Sequence, residues 1–216
     1  NPYIVKALKS ALEKNKDLQL ILIINGNPDV PTYRFYQHRR LKKLGLDLEG
    51  PLLDHPRIGV YNLWGLGEKK GMHTLQPFYV HSKVSIVDDK WATIGTSNLD
   101  GSSLSGAEEF TQITNPDLHL NMEINAVILD TEKVKTGDVR NFREELWSEH
   151  LGLDKMKRNP SGWLELWRET ALKNVELLRN DNPTMQGHIL PYTPANKSMD
   201  KIKSLDIIND HLMPVD

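Results

Sequence analysis

The sequence predicts an α/β protein in which a layered sheet is flanked by helices. Apolar residues recur at helical spacing in several segments, and short runs rich in β-branched residues lie between those segments. Gly, Pro and Asn separate most of the runs, as expected at turns and loops. Such alternation along one chain is typical of α/β layers. We expect a mixed sheet, because two of the predicted strands are joined by only a short turn.

Each element follows from a local pattern. Pro2 suits the first turn of a helix, because its missing N–H needs no partner there, and Gly45 and Gly152 are natural helix ends. The helix before Gly152 has a packing face, and we expect its His150 to be structural. In chain order we predict a helix at 2–15, a strand at 18–24, a helix at 31–44, a strand at 57–64, a loop at 65–77, two strands within 78–98, a long loop at 99–120, a strand at 121–130 and a helix ending at 151.

The pattern changes beyond Gly152. A helix at 162–179 carries Trp and Leu residues at helical spacing, which indicates core packing. The Pro-containing stretch 180–199 predicts an extended arm, and a short helix is expected at 200–212. The sequence therefore predicts two domains, a main one over residues 1–152 and a helical and extended tail over residues 153–216.

Composition excludes several classes of protein. The chain has 216 residues, 38% of them hydrophobic and 26% charged, which is ordinary for a globular protein. The absence of Cys excludes disulfides and thiolate metal sites. No apolar run has the length of a transmembrane helix, and no secretory signal stands at the start. The opening Asn1-Pro2 without Met is what a piece of a longer protein or a processed product would show. The compartment stays open.

The most informative segment is HSKVSIVDDKWATIGTSN, residues 81–98. Its first part is rich in β-branched residues and ends at the turn-like pair Asp88-Asp89, as a strand would. Side chains two residues apart on a strand share a face, so we expect His81 and Lys83 to emerge side by side.

The second part of the segment, WATIGTSN, is expected to return Thr96 and Asn98 toward His81 and Lys83. An imidazole, an ammonium, a hydroxyl and an amide then converge, and this set suits a phosphate. The alternative is a core strand with a buried His and Lys. It is disfavoured because two such polar groups are costly to bury.

This segment resembles the HKD motif of the phospholipase D superfamily, His-x-Lys-x4-Asp-x6-Gly-Ser-x-Asn. Thr96 stands where the family usually has Ser, and it keeps the hydroxyl while adding a methyl group. The positions in register are His81, Lys83, Asp88, Gly95 and Asn98. The resemblance extends over about residues 1–152, so the predicted fold is a phospholipase D-like half with a tail.

The resemblance also implies roles for these side chains. His81, Lys83 and Asp88 are expected to be catalytic, and Lys83, Thr96 and Asn98 to bind the substrate phosphate. Glu123, on the predicted strand 121–130, resembles the family's downstream acidic residue, which orients the catalytic imidazole. By itself, a Glu at a strand edge is more often simply solvated.

The chain contains only one such motif, because none of its other His residues has a Lys two positions on. Sites of this family are built from two motifs, since one imidazole attacks phosphorus while the other protonates the leaving oxygen. We therefore expect a second HKD-bearing half as a partner, either an N-terminal part of the same protein or a dimer mate. The resemblance is to the C-terminal half of bacterial two-motif enzymes, where His81 would be the general acid and base, with nucleophile as the alternative role.

Three functions remain open on the sequence: a phospholipase D acting on phosphatidyl lipids at a membrane surface, a nuclease or other phosphodiesterase, and a non-catalytic assembly half. The net charge of −2 disfavours nucleic acid. The basic run at 38–43 is read first as a solvated helix face, with contact to anionic lipid or nucleic acid as the alternative. The intact motif disfavours the third. The predicted loop 65–77 either dips into a lipid interface or packs over the sheet. We expect no metal and no cofactor, since no cluster of Asp, His or Cys at ligand spacing surrounds the motif.

Overall fold

The computed structural model describes residues 2–26, 31–48, 55–98, 122–131, 136–156 and 162–192, with backbone alone at 2, 31–36 and 213–214. Within these residues it contains four helices and two sheets, which confirms the predicted α/β class. In this part of the chain, no helix is both long enough and apolar enough to cross a membrane. The predicted loop 99–120 and the predicted helix 200–212 lie outside the described residues.

The helices and strands follow the predicted order closely. The helices are α1 (Pro2–Lys14), α2 (Pro31–Lys43), α3 (Asp138–Leu151) and α4 (Trp163–Leu177). The strands are β1 (Leu20–Ile23), β2 (Ile58–Lys69), β3 (Met72–Pro77), β4 (Lys83–Val87), β5 (Trp91–Gly95), β6 (Asn125–Leu129), β7 (Ile189–Pro191) and β8 (Met213–Pro214).

The chain forms two compact units that alternate along the sequence. Unit 1 comprises Asn1–Ser10 and His81–Leu146, and unit 2 comprises Ala11–Val80 and Trp147–Asp216. The predicted boundary at residue 152 divides the chain once, whereas each compact unit combines two separate stretches of chain. The predicted boundary stays a prediction.

Unit 2 is built on the mixed sheet β1-β2-β3-β8, with β7 also paired to β2. Strands β1 and β2 are parallel, whereas β2 is antiparallel to β3 and to β7. Helix α4 packs on β2 and β7. One buried cluster of the core in this unit consists of Tyr61, Leu151, Met156, Trp167, Ala171 and Ile189. The expected mixed sheet is therefore present, but the two motif strands belong to the other sheet.

The predicted loop 65–77 is wrong. This segment continues β2 and returns as β3, with the reversal at Lys70 and Gly71, both at positive φ. The apolar residues expected to meet either lipid or the sheet are Trp64, Leu66, Met72 and Leu75. Leu75 lies in a buried cluster, and Trp64 and Leu66 pack against it, so these three pack over the sheet. Met72, at the start of β3, is 51% exposed, and for it both alternatives stay open.

The described part of the predicted extended arm, residues 180–192, contacts α4 through one buried side chain, and residues 193–199 lie outside the described residues. The Asn174 side chain is fully buried, and its Nδ2 donates to the carbonyl oxygens of Gln186 (2.8 Å) and Ile189 (3.0 Å). Its Oδ1 accepts from the N–H of Gln186 at 2.8 Å. These bonds satisfy backbone groups that a buried arm would otherwise leave unpaired. Residues 189–191, which follow these contacts, join the sheet as β7 by pairing with β2.

His150 lies half-buried at the end of α3, 6.3 Å from the Trp167 ring by centroids. Its carbonyl oxygen accepts from the N–H of His188 at 2.8 Å. Burial lowers the pKa of the His150 imidazole; the Glu149 carboxylate opposes this shift, and His188 adds to it. These contacts agree with the structural role predicted for His150.

Acid should therefore destabilise the fold through His150. The unfolded chain takes up a proton near the ordinary His pKa of about 6.5, whereas the folded chain resists it until lower pH. Stability from this group is thus complete above that pH and declines as pH falls through the window below it. We expect urea titrations of His150→Gln to show a smaller loss of unfolding free energy between about pH 7.5 and about pH 5 than the parent protein. Equal losses in the two proteins would contradict this assignment.

Candidate active site

The three antiparallel strands of unit 1 bring the separate parts of the motif to one end of a sheet. Their order is β4-β5-β6. Lys83 pairs with Gly95, and Gly95 pairs in turn with Asn125, so these three residues form one row across the sheet. His81 precedes this row on the β4 side, and Thr96 and Asn98 follow it after β5.

His81 and Lys83 lie at the start of β4, and the expectation that their side chains emerge side by side stays a prediction. His81 is exposed and lies before the first residue of the strand, so strand alternation does not set its side-chain direction. The two residues are joined by a hydrogen bond in which Lys83 Nζ donates to the His81 carbonyl oxygen at 2.5 Å. This bond uses one of three ammonium donors.

Thr96 and Glu123 are brought together across β5 and β6. The Thr96 hydroxyl donates to Glu123 Oε2 at 2.6 Å and accepts from the Ile124 N–H at 3.0 Å. The Thr96 N–H donates to the Ile124 carbonyl oxygen, also at 3.0 Å. A hydroxyl has only one proton to donate. In this arrangement Thr96 orients Glu123, and its expected contact with phosphate stays a prediction.

Asp88 lies at the opposite end of the hairpin from the other motif residues. Five residues of extended strand separate it from Lys83, which corresponds to about 17 Å. Asp88 is exposed in a tight turn, where both Asp88 and Asp89 have positive φ, 52° and 55°. Asp tolerates this conformation better than most residues. The structure thus brings His81, Lys83, Thr96, Asn98 and Glu123 to one end of the sheet, but not Asp88.

Asp89, which the sequence predicts only as part of the turn, anchors this turn. Its carboxylate accepts two hydrogen bonds from Arg143 of α3, from Nε at 2.5 Å and from Nη2 at 3.0 Å. The Arg143 side chain is only 5% exposed, and Glu144 contributes a second, longer ion pair at 3.6 Å. A paired guanidinium is what makes such burial tolerable. The repeated Asp in the motif was the available signal.

Two more polar residues lie at the site end of the sheet. Asn125 Nδ2 donates to the hydroxyl of Ser97 at 2.7 Å.

Among the residues that the structure describes, no group of three or more His, Asp or Glu side chains is arranged to hold a metal ion. The expectation of a site without metal or cofactor stays a prediction.

Comparison with known proteins agrees with the fold and the motif. The family model for phospholipase D matches residues 68–210, which is more than half of the chain. The chain therefore belongs to the phospholipase D family.

Three plant relatives illustrate the similarity. The chain is 28% identical to phospholipase D zeta 2 of Arabidopsis thaliana, over 80% of this chain and 19% of the relative. It is 32% identical to phospholipase D zeta 1 of the same plant (58% and 12%) and 34% identical to phospholipase D alpha 1 of Ricinus communis (53% and 14%). The matched region thus spans less than a fifth of each relative. The resemblance to bacterial enzymes in particular stays a prediction.

The same substitution should destabilise the protein strongly at Asp89 and hardly at all at Asp88. Asp89→Asn leaves the buried Arg143 without its main anionic partner, so we expect a loss of about 3 kcal/mol of unfolding free energy. Asp88→Asn changes an exposed group at a position that Asn also tolerates, so we expect a change within about 0.5 kcal/mol. Chemical denaturation measures both. A large loss in Asp88→Asn, or none in Asp89→Asn, would contradict the positions described here.

Proposed function

We propose that the protein is a phospholipase D-type phosphodiesterase that hydrolyses phosphatidyl lipids to phosphatidic acid and a free head group. The observation that supports this proposal is the register of β4, β5 and β6, which sets Lys83 and Gly95 in one row at the end of the sheet where Thr96 bonds Glu123. We infer that His81 and Asn98, which lie two and three residues from this row in the chain, complete the site. A phosphodiester carries one negative charge. Lys83 would supply the opposite charge, and Asn98 an amide donor.

His81 would act as general acid and base. In the first step, an imidazole nitrogen of the partner half attacks phosphorus, the bond from phosphorus to the head-group oxygen breaks, and His81 gives that oxygen its proton. In the second step, His81 takes a proton from water, the water oxygen attacks phosphorus, and the bond from phosphorus to nitrogen breaks. Glu123 would hold the His81 imidazole in the required tautomer. If the two His residues exchange roles, His81 is the nucleophile.

The second imidazole must come from another HKD-bearing half, because this chain carries a single motif. An N-terminal part of the same protein or a second copy would serve equally well on chemical grounds. The small share of each relative that the chain covers agrees with the first source.

Two exposed apolar side chains support a lipid substrate over nucleic acid. Met122 and Ile124, on either side of Glu123, are 98% and 76% exposed. Apolar groups next to a phosphate site suit a substrate with acyl chains. A nucleic-acid site would instead be expected to show surplus positive charge, and the net charge of the chain is −2.

His81→Ala should remove the activity without unfolding the protein. The imidazole takes part in both chemical steps, so we expect turnover to fall by several orders of magnitude. His81 is exposed, so thermal stability should change little. The measurement is hydrolysis of a soluble phosphodiester by the complete protein that carries residues 1–216. Turnover near the parent rate would overturn the role of His81.

The covalent route predicts exchange of head groups as well as hydrolysis. A phosphohistidine intermediate waits for any nucleophile that reaches it, so a primary alcohol at high concentration competes with water. Incubation of phosphatidylcholine with the complete protein and a short alcohol should yield phosphatidyl alcohol beside phosphatidic acid. Lipid hydrolysis without any alcohol adduct would contradict the covalent route. Cleavage of nucleic acid but not of lipid would move the function to a nuclease.

A further inference from the structure

Gly95 is required at its position by space and not by its backbone angle. Its φ is not in the left-handed region. A Cβ placed on Gly95 would collide with the Asn125 side-chain oxygen and with the Ile124 carbonyl oxygen of the neighbouring strand. A glycine inside a strand often marks such a close approach. The Asn125 side chain thus occupies the space that a side chain at residue 95 would take.

From this position the side-chain amide of Asn125 contacts Ser97 through both its nitrogen and its oxygen. Asn125 Nδ2 donates to the Ser97 hydroxyl oxygen at 2.7 Å, and the Ser97 N–H donates to Asn125 Oδ1 at 3.4 Å. Ser97 is only 8% exposed, so it is also fixed by burial. Its neighbours in the chain are Thr96 and Asn98, which are two residues of the candidate site.

We propose that Asn125 is a positioning residue of the phosphate site, because by holding Ser97 it sets the backbone from which Thr96 and Asn98 project. This inference rests on the proposed function. The two hydrogen bonds between Asn125 and Ser97 lie just beyond the end of β5, where the regular backbone hydrogen bonds of the sheet stop. They keep the backbone at residues 96–98 in a defined conformation. When the groups that bind a substrate move by about 1 Å, the reaction can slow by about a hundredfold.

The test compares two substitutions in the same pair of strands. Asn125→Ala removes both contacts to Ser97. Thr93→Val is the matched control, because it removes the bond that Thr93 Oγ1 donates to the Ala126 carbonyl oxygen at 3.1 Å, also across β5 and β6. Both are made in the complete protein that carries residues 1–216. The measurements are thermal unfolding, KM and kcat on a soluble phosphodiester, and the inhibition constant of vanadate.

Asn125→Ala should raise both KM and the vanadate inhibition constant about tenfold, because both report binding of the phosphate group. Thr93→Val should leave both near their parent values. If Asn125→Ala fails to fold, Ser97→Ala decides: it removes only the hydroxyl contact, and we expect the same changes at about threefold.

A purely structural role gives a different result. If Asn125 is purely structural, Asn125→Ala lowers the maximal rate and the melting temperature but leaves KM and the vanadate inhibition constant at parent values. When the parent protein is active, this result in the variant overturns the inference but not the proposed function. A parent protein that neither hydrolyses phosphodiesters nor binds vanadate overturns the proposed function, and the inference falls with it.

Discussion

The antiparallel register of β4, β5 and β6 is the constraint on which the candidate site depends. It sets Lys83, Gly95 and Asn125 in one row, and every other residue of the site end lies within a few positions of that row. A slip of one residue would turn each side chain of the moved strand to the opposite face. The close approach at Gly95 disfavours such a slip, because only glycine leaves room there for Asn125.

The same hairpin is fixed at its other end by charge. Asp89 pairs with the buried Arg143, which ties the turn to α3. Removing one partner of such a pair costs far more than a surface ion pair contributes, since the remaining charge is buried alone. The turn and the site end therefore have separate supports. Asp89, next to the motif Asp88, is thus held by Arg143 independently of the site end.

Unit 2 shows the same dependence on satisfied polar groups. The buried amide of Asn174 makes three hydrogen bonds to residues 186–189, which offset the loss of its contacts with water. Residues 189–191 of this Pro-containing segment pair with β2. In unit 1, the hydroxyl of Thr96 is likewise committed to Glu123 and Ile124. A phosphate that binds there would meet an arranged set of groups, and such preorganisation is the usual source of electrostatic catalysis.

The sequence by itself determined the α/β class, the order of the elements, the hairpin turn at Asp88 and Asp89, and the family, because periodicity and motif spacing are local properties of the chain. The spacing of the motif also predicts that His81, Lys83, Thr96 and Asn98 converge, and this convergence stays a prediction. The remoteness of Asp88 follows from the predicted strand, and the hairpin at residues 65–77 was missed although its pairing is local. Tertiary structure alone decided that Asp89 pairs with Arg143 and that Asn125 crosses Gly95 to reach Ser97. Each of these depends on which strands and helices come into contact, and contacts between residues far apart in the chain leave no periodic trace in it.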